Sequence, residues 1–295
     1  MANTAKKEPK STYKKVSMSK EIWRQFRKGK GAMVGLLLIA AITIILIIGP
    51  LFVDYEAAIT QDITRLLQKP NAEHIFGCDG YGRDILARII YGGRTSLSIA
   101  IIATITSCAV GSVLGAIAGY FGGWVDSLIM RSLDIFMSVP DILFTIAVVV
   151  ALGANEVNLI IALTMAYFSN YVRLVRSQVL SLAEQDYVEA AKAGGASNAR
   201  IILQHILPNA IGVIIVNVTL NVAKIIIYES TLSFLGLGMA PPAPEWGQML
   251  SEAREFMRRA PHLLVFPASA IVLCACAVNL VGDGLRDALD PHLKS

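Results

Sequence analysis

Ionisable residues inside long apolar runs are where this chain could do chemistry first. An unpaired charge in hydrocarbon is costly and must be met by a partner, by water or by a task. Lys224 and Glu229 are two such residues, and Asn217 and Asn221 lie in the same run. These four are candidates for lining a path through a membrane. Structural pairing with a neighbouring helix or a partner chain is the alternative, and for the asparagines interhelical hydrogen bonding is the plainer account. Lys224 and Glu229 are five residues apart, not the three or four at which side chains pair along a helix.

Other reactive residue types show no working pattern. His74, His205, His262 and His292 are scattered, and neither His-Glu-x-x-His nor Gly-x-Ser-x-Gly occurs, so no metal or nucleophile constellation is legible. Cys274 and Cys276 form a C-x-C pair that points two ways at helical spacing. With Cys78 and Cys108 they read as small buried hydrophobes, and no metal site is expected.

A second constellation lies at 184–208. Glu184, Asp186 and Glu189 are acids suited to a helix N-terminus. Gly194 and Gly195 would stop that helix, and Ser197 could cap a second one running to Pro208, where the next apolar run begins. Ala190, Ala191, Ala193 and Ala196 leave a face with little bulk, which a partner's groove could approach to backbone distance and move as a rigid body. From composition alone the same residues make only a tight helix turn.

The elements that must hold these residues are membrane helices. With 55% apolar and 16% charged residues, and a mean hydropathy of +0.58, lipid is the expected solvent. Crossing a bilayer takes about 20 apolar residues in a helix. Uncharged runs of 22, 31 and 20 residues occupy 32–53, 95–125 and 263–282. Three further stretches, 128–153, 157–182 and 209–237, are apolar with isolated charges and read as helices buried among helices. Strand-type alternation is absent, so the fold class is all-α, a polytopic membrane bundle of six transmembrane helices.

Charge orients the bundle. Ten Lys or Arg against Glu8 and Glu21 in the first 31 residues place the N-terminus in the cytoplasm, and an even number of spans returns the C-terminus there. The net charge of +4 is concentrated in this arm, which fits orientation and contact with membrane lipid, and no nucleic acid partner is expected. The lead-in is too long and the apolar run too extended for a cleaved signal peptide, so the first span reads as retained.

The intervening segments carry local signals. A glycine-punctuated turn at 76–84 precedes a short helix expected at 85–91 on the membrane surface. Gly111, Gly115 and Gly119 repeat every four residues, a ridge for close helix packing. Gly122, Gly123 and Asp126 mark a short connection. Pro140, near Asp134 and Asp141, interrupts the third span as a packing kink or a hinge. The 238–262 stretch, with Pro241, Pro242, Pro244 and Trp246, reads as an interfacial loop with a short polar helix, either anchoring or receiving a docking protein.

The spacing at 189–208 resembles the EAA signature of binding-protein-dependent ABC import permeases. Glu189, Ala190, Ala191, Gly195, Leu207 and Pro208 match it, while His205 replaces the usual Ile. His205 to Asn209, His-Ile-Leu-Pro-Asn, is similar to the peptide and nickel branch. So are Phe76-Gly77-x-Asp79-x-x-Gly82-Arg83-Asp84, Ser230-x-x-Ser233-Phe234-Leu235-Gly236-Leu237-Gly238, Trp246-Gly247, and Gly282-Asp283-x-Leu285-Arg286-Asp287-x-x-Asp290-Pro291. Together they resemble the C-type subunit of dipeptide and oligopeptide importers, from about Trp23 to the end of the chain.

That resemblance implies the type I importer permease fold and a bacterial or archaeal cytoplasmic membrane. It implies a homologous second permease, an extracytoplasmic substrate-binding protein, and two ATPase subunits that bind ATP and Mg. Glu189, Ala190, Ala191, Gly194, Gly195, Leu207 and Pro208 would form the ATPase-coupling segment. No Gly-x-x-x-x-Gly-Lys-Ser/Thr occurs, so no cofactor site and no catalysis are expected in this chain. The implied cargo is di- or oligopeptides moved inward, with nickel chelates or glutathione-like solutes as alternatives. An ion-driven secondary transporter is disfavoured because no inverted repeat is visible.

The organisation expected is a basic cytoplasmic arm at 1–31, a first transmembrane helix at 32–53 and an extracytoplasmic loop with an interfacial helix at 54–94. A five-helix core at 95–283 follows, containing the coupling segment 184–208 and outer loop 238–262, and then a cytoplasmic tail at 284–295.

Overall fold

The computed structural model describes residues 18–289. The arm's basic residues before position 18, and Asp290, Pro291 and His292, lie outside the described residues. Helices follow in the order α1 (Met18–Phe26), α2 (Lys30–Ile48), α3 (Tyr55–Ile59), α4 (Ile85–Phe121), α5 (Gly123–Met137), α6 (Asp141–Leu152), α7 (Glu156–Ala183), α8 (Asp186–Ala193), α9 (Asn198–Arg200), α10 (Leu207–Phe234), α11 (Trp246–Ala253) and α12 (His262–Leu289). A single isolated bridge, Cys78 to Asp84, is the extended pairing found among the described residues.

Four stretches are long and apolar enough to cross a membrane: Lys30–Leu51, Ile85–Phe121, Asn198–Phe234 and His262–Leu289. α5 and α6 would make a fifth, but they bend by 83° at Ser138–Pro140. Proline cannot donate a backbone bond, and here the interruption separates two helices instead of kinking one. The stretch expected as a further span is α7, whose 28 residues reach about 42 Å. Its polar residues keep it from standing as a span on apolarity. Arg176 donates to Asp126 in a two-armed ion pair, and Arg173 donates to Asp134 at 2.8 Å, both on α5. Length and apolarity thus establish four crossings, or five with the bent pair, and the count of six rests on α7.

The glycine ridge is the closest seam. A Cβ at Gly111 would lie 2.4 Å from Tyr171 Cβ, one at Gly115 2.6 Å from the Val172 carbonyl, and one at Gly119 2.9 Å from the Arg176 carbonyl. α4 and α7 therefore meet backbone to backbone, the most extensive helix contact described. α12 packs between α10 and α2 by the same device, with Gly35 against Leu280 and Gly282 against Leu220.

Three expectations are corrected. Residues 85–91 are not a separate short helix; they are the first turns of the 37-residue α4. Gly92 and Gly93 do not break it, because they admit the Glu245 backbone and the Trp246 ring against the helix. The helix capped by Ser197 is not separate from the following span either, since helical structure runs unbroken from Asn198 to Phe234. Residues Ile201–Ile206 are π-helical within it. Pro208 has no N–H to give, and widening the preceding turn, with Leu207 N–H reaching the Ile202 carbonyl, fits that missing donor. Cys276 is exposed, unlike the buried Cys78 and Cys274, so it is not the buried hydrophobe expected.

Candidate functional site

The 184–208 segment is a helix, a glycine turn and a second helix start. α8 ends in a Schellman motif: Gly195 N–H donates to the Lys192 carbonyl at 3.0 Å and Ala196 N–H to the Ala191 carbonyl at 3.1 Å. Such closure needs a left-handed residue, and Gly195 has φ +77°. Ser197 then caps the next helix, its Oγ accepting from Arg200 N–H at 3.4 Å. Val188, fully buried, seats α8 in a cluster with Val175, Val179, Ile201 and Ile206. The Tyr120 hydroxyl donates to Asn198 Oδ1 at 3.0 Å, and Lys192 Nζ lies 5.7 Å above the Tyr120 ring, tying the segment to the end of α4.

Around the glycine turn the residues left outside are small, with Tyr187 and Lys192 exposed beside them. Glu189, Ala190, Ala193, Gly194 and Gly195 are exposed, Ala191 and Leu207 are half-buried, and Pro208 is exposed. A Cβ on Gly195 would meet nothing within 4 Å. The segment is therefore a rigidly seated element that presents a low, open face.

The four polar residues of α10 do not converge. Asn217 donates to its own helix at the Val213 carbonyl, 3.0 Å, while Asn221 is buried. Lys224 is exposed on the surface of this chain and Glu229 is fully buried. Five residues on a helix turn through about 140° net, so the two charges face different surroundings. Within this chain Lys224 is exposed, a position open to water or to a partner chain.

At the other end of α10 the structure joins the motif residues Asp79, Arg83 and Trp246 to Ser96, Arg88, Glu245 and Glu252, which the sequence did not single out. Glu245 is the N-cap of α11, accepting from Gly247 N–H at 2.6 Å and Gln248 N–H at 3.3 Å. The Ser96 hydroxyl of α4 donates to it at 3.5 Å, and Trp246 Nε1 donates to the Ile89 carbonyl at 2.9 Å. Burial raises the Glu245 carboxyl above the ordinary carboxylate range. About two turns along α11, Glu252 joins Asp79, Arg83 and Arg88 in a closed quartet of two acids and two bases. Arg83 donates to Asp79 at 2.7 Å and to Glu252 at 2.5 Å; Arg88 donates to the same two at 2.5 and 2.6 Å. Both arginines are 1% exposed, so this neutral quartet locks the 76–84 turn onto α11. Asp79 and Arg83 at four-residue spacing were its only local signal.

The family described as binding-protein-dependent transport system inner membrane component matches residues 111–295. The N-terminal TM domain of oligopeptide transport permease C matches residues 17–70. The chain belongs to this family of inner-membrane permeases of binding-protein-dependent ABC importers. It is 46% identical over 287 residues to the dipeptide transport system permease protein DppC of Alkalihalophilus pseudofirmus, covering 97% of this chain and 94% of that protein. It is 44% identical over 274 residues to the glutathione transport system permease protein GsiD of Escherichia coli, covering 93% and 90%. In fold it is similar to a chain of the MetNI methionine ABC transporter in an inward-facing conformation, with TM-score 0.55 and 18% identity over 68% of this chain and 96% of that one.

Proposed function

We propose that this permease moves di- or oligopeptides inward across the cytoplasmic membrane of a bacterium or archaeon. It does so as one half of a heterodimer with a homologous permease. Two separate ATPase subunits bind ATP and Mg and hydrolyse the nucleotide, and an extracytoplasmic binding protein delivers the cargo. Glu189, Ala190, Ala191, Gly194 and Gly195 are the surface that docks in an ATPase groove, with Leu207 and Pro208 joining it to α10. With α7 counted as a span there are six, and both termini are cytoplasmic, which puts 184–208 inside and 238–262 outside.

The observation that carries this reading is the exposed, small-residue face of 184–208, held by a Schellman turn and a buried Val188 on the inner end of α10. A seated element whose outer stretch at Ala190, Ala193, Gly194 and Gly195 is low can receive a partner closely and pass its motion on. The peptide assignment follows from the relative named for dipeptide transport; the relative named for glutathione transport supports a second reading, a glutathione-like solute. Asn217 and Lys224, on the partly or fully exposed side of α10, are the residues placed to face the path or the second permease, whereas buried Asn221 and Glu229 serve packing.

The test is reconstitution. ATPase activity stimulated by binding protein should require this chain, and calorimetry on the cognate binding protein should show retention of peptides. Stimulation without this chain would refute the assembly; retention of glutathione in preference to peptides would select the second reading.

A further inference from the structure

Lys224 stands about 25 Å along α10 from Leu207 and about 15 Å short of Phe234, at membrane depth. It is exposed on this chain, and none of the ion pairs among the described residues includes it. The helices packed against α10 hold no acid for it. α4 has none, α7 has none after Glu156, and α12 has none before Asp283. Glu229 and Glu245 are buried, Glu252 of α11 is held by Arg83 and Arg88, and Asp126 and Asp134 of α5 are taken by Arg176 and Arg173. Asp141, exposed at the start of α6, forms no ion pair with it. An ammonium at this depth is costly in lipid, so its partner comes from outside the chain, as water or as an anion.

The surroundings decide between a wet wall and a dry seam. α7 and α10 run antiparallel: the inner end of α7 clusters with Ile201 and Ile206, and further out Tyr167 meets Tyr228 edge to face, ring centroids 5.5 Å apart. One turn inward of that contact, Asn170 lies about 60° round α7 and Lys224 about 40° round α10, and in antiparallel helices these two offsets open to the same side. Asn170 and Lys224 are both exposed there, whereas Tyr171 and Asn221, turned to the other side, are buried. Further along the open side of α7, Arg173 pairs with Asp134 at 2.8 Å, the two side chains 45% and 63% exposed. An ion pair so open at membrane depth needs water around it, not hydrocarbon. α7 and α10 share a polar wall, and on it Lys224 is the cation without an acid among the described residues.

Given the peptide-import reading, on which this rests, we infer that the wall lines the path of the cargo and that Lys224 binds the carboxylate of the passing solute, with Asn170 across from it on α7. Every peptide with a free C-terminus carries that carboxylate, whatever its side chains. One ammonium therefore holds peptides of any sequence through a charge-assisted hydrogen bond. Lys is a point charge on a flexible stem, without the fixed two-armed grip of Arg, which suits a residue that must also let its ligand go.

The experiment uses the whole complex in proteoliposomes with its cognate binding protein, and two probes, trialanine and trialanine C-terminal amide. Calorimetry gives the binding protein's own preference between the two. Wild-type uptake should favour the free carboxylate beyond that preference by about 10-fold or more, the worth of a hydrogen bond to a charged group. In Lys224→Gln the excess should vanish; in Lys224→Arg, which keeps the charge, most of it should remain. An undiminished excess in Lys224→Gln, or its loss in Lys224→Arg as well, would overturn the assignment. So would failure of Lys224→Gln to co-purify with the second permease, which would make Lys224 the partner of an acid in that chain. Absence of uptake of either probe by the wild type would instead overturn the peptide-import reading, and this inference with it, so the two failures are told apart by the wild type.

Discussion

At Gly195, conformation and space can be tested apart. The residue needs φ +77°, which costs an ordinary L residue roughly 1–2 kcal/mol, yet a Cβ there has nothing within 4 Å. Gly195→Ala should therefore strain the turn without a clash, lowering a melting temperature by about 2–4 °C per kcal/mol if the segment unfolds with the rest. Gly195→Asn relieves most of that strain, because Asn tolerates the left-handed region, but it fills the open volume. If that volume belongs to an ATPase groove, an intruding side chain costs docking about 1–3 kcal/mol, or about 5–150-fold in the equilibrium. Gly194→Ala is the control: Gly194 has φ −76°, and its Cβ would meet the Ala190 carbonyl at an ordinary 3.4 Å. The assay is ATP-driven uptake and co-purification of the ATPases, run beside thermal unfolding. Expected is an Asn variant that melts like the wild type and has lost uptake. Wild-type uptake in the Asn variant, with loss only in Ala, would refute docking and leave Gly195 a turn residue alone.

Three further outcomes are expected elsewhere. Gly115→Leu should destabilise the chain by about 3 kcal/mol or more, because even a Cβ would stand 2.6 Å from the Val172 carbonyl, whereas Gly212→Ala, with its nearest atoms at 3.7 Å, should melt as the wild type. Arg88→Met leaves Asp79 and Glu252 sharing one guanidinium in a buried site, a loss of about 3–5 kcal/mol that thermal unfolding would register; an unchanged melting temperature would show that the quartet is not buried in the assembly. Cys78 is fully buried, and burial pushes its thiol up to about 11, so almost no thiolate exists at neutral pH and an impermeant maleimide should label it only after denaturation.

Much of this architecture was legible because membrane helices announce themselves by uninterrupted apolarity. The uncharged runs led to α2, α4 and α12, and the four-residue glycine period correctly indicated a close seam, though not that α7 would fill it. Gly194, Gly195 and Ser197 carried enough turn and cap chemistry to place the 184–208 break to the residue. What was not legible depends on distant partners. Arg88 and Glu252 are 164 positions apart, and nothing near Glu245 in a proline-rich stretch signals that it is buried. Lys224 and Glu229 shared a run in the sequence and were considered together, but helical rotation sends one outward and the other into the core. The 83° bend also exceeds what a lone proline foretells.

The two ends of α10 are mechanically one object. Helical structure from Asn198 to Phe234 makes a rod of 37 residues, about 55 Å long, with the glycine turn at one end and Glu229 near the other. A tilt of about 5° about its inner end carries the far end about 5 Å. The loop that follows α10 does not travel with it alone, because Trp246 and Ser96 hold the loop to α4, and Arg88 at the head of α4 holds Glu252. Relative motion of α10 and α4 must therefore be taken up where α11 meets α10, at the close seam of Gly247 on Ser230, or at the Trp246 and Glu252 anchors on α4.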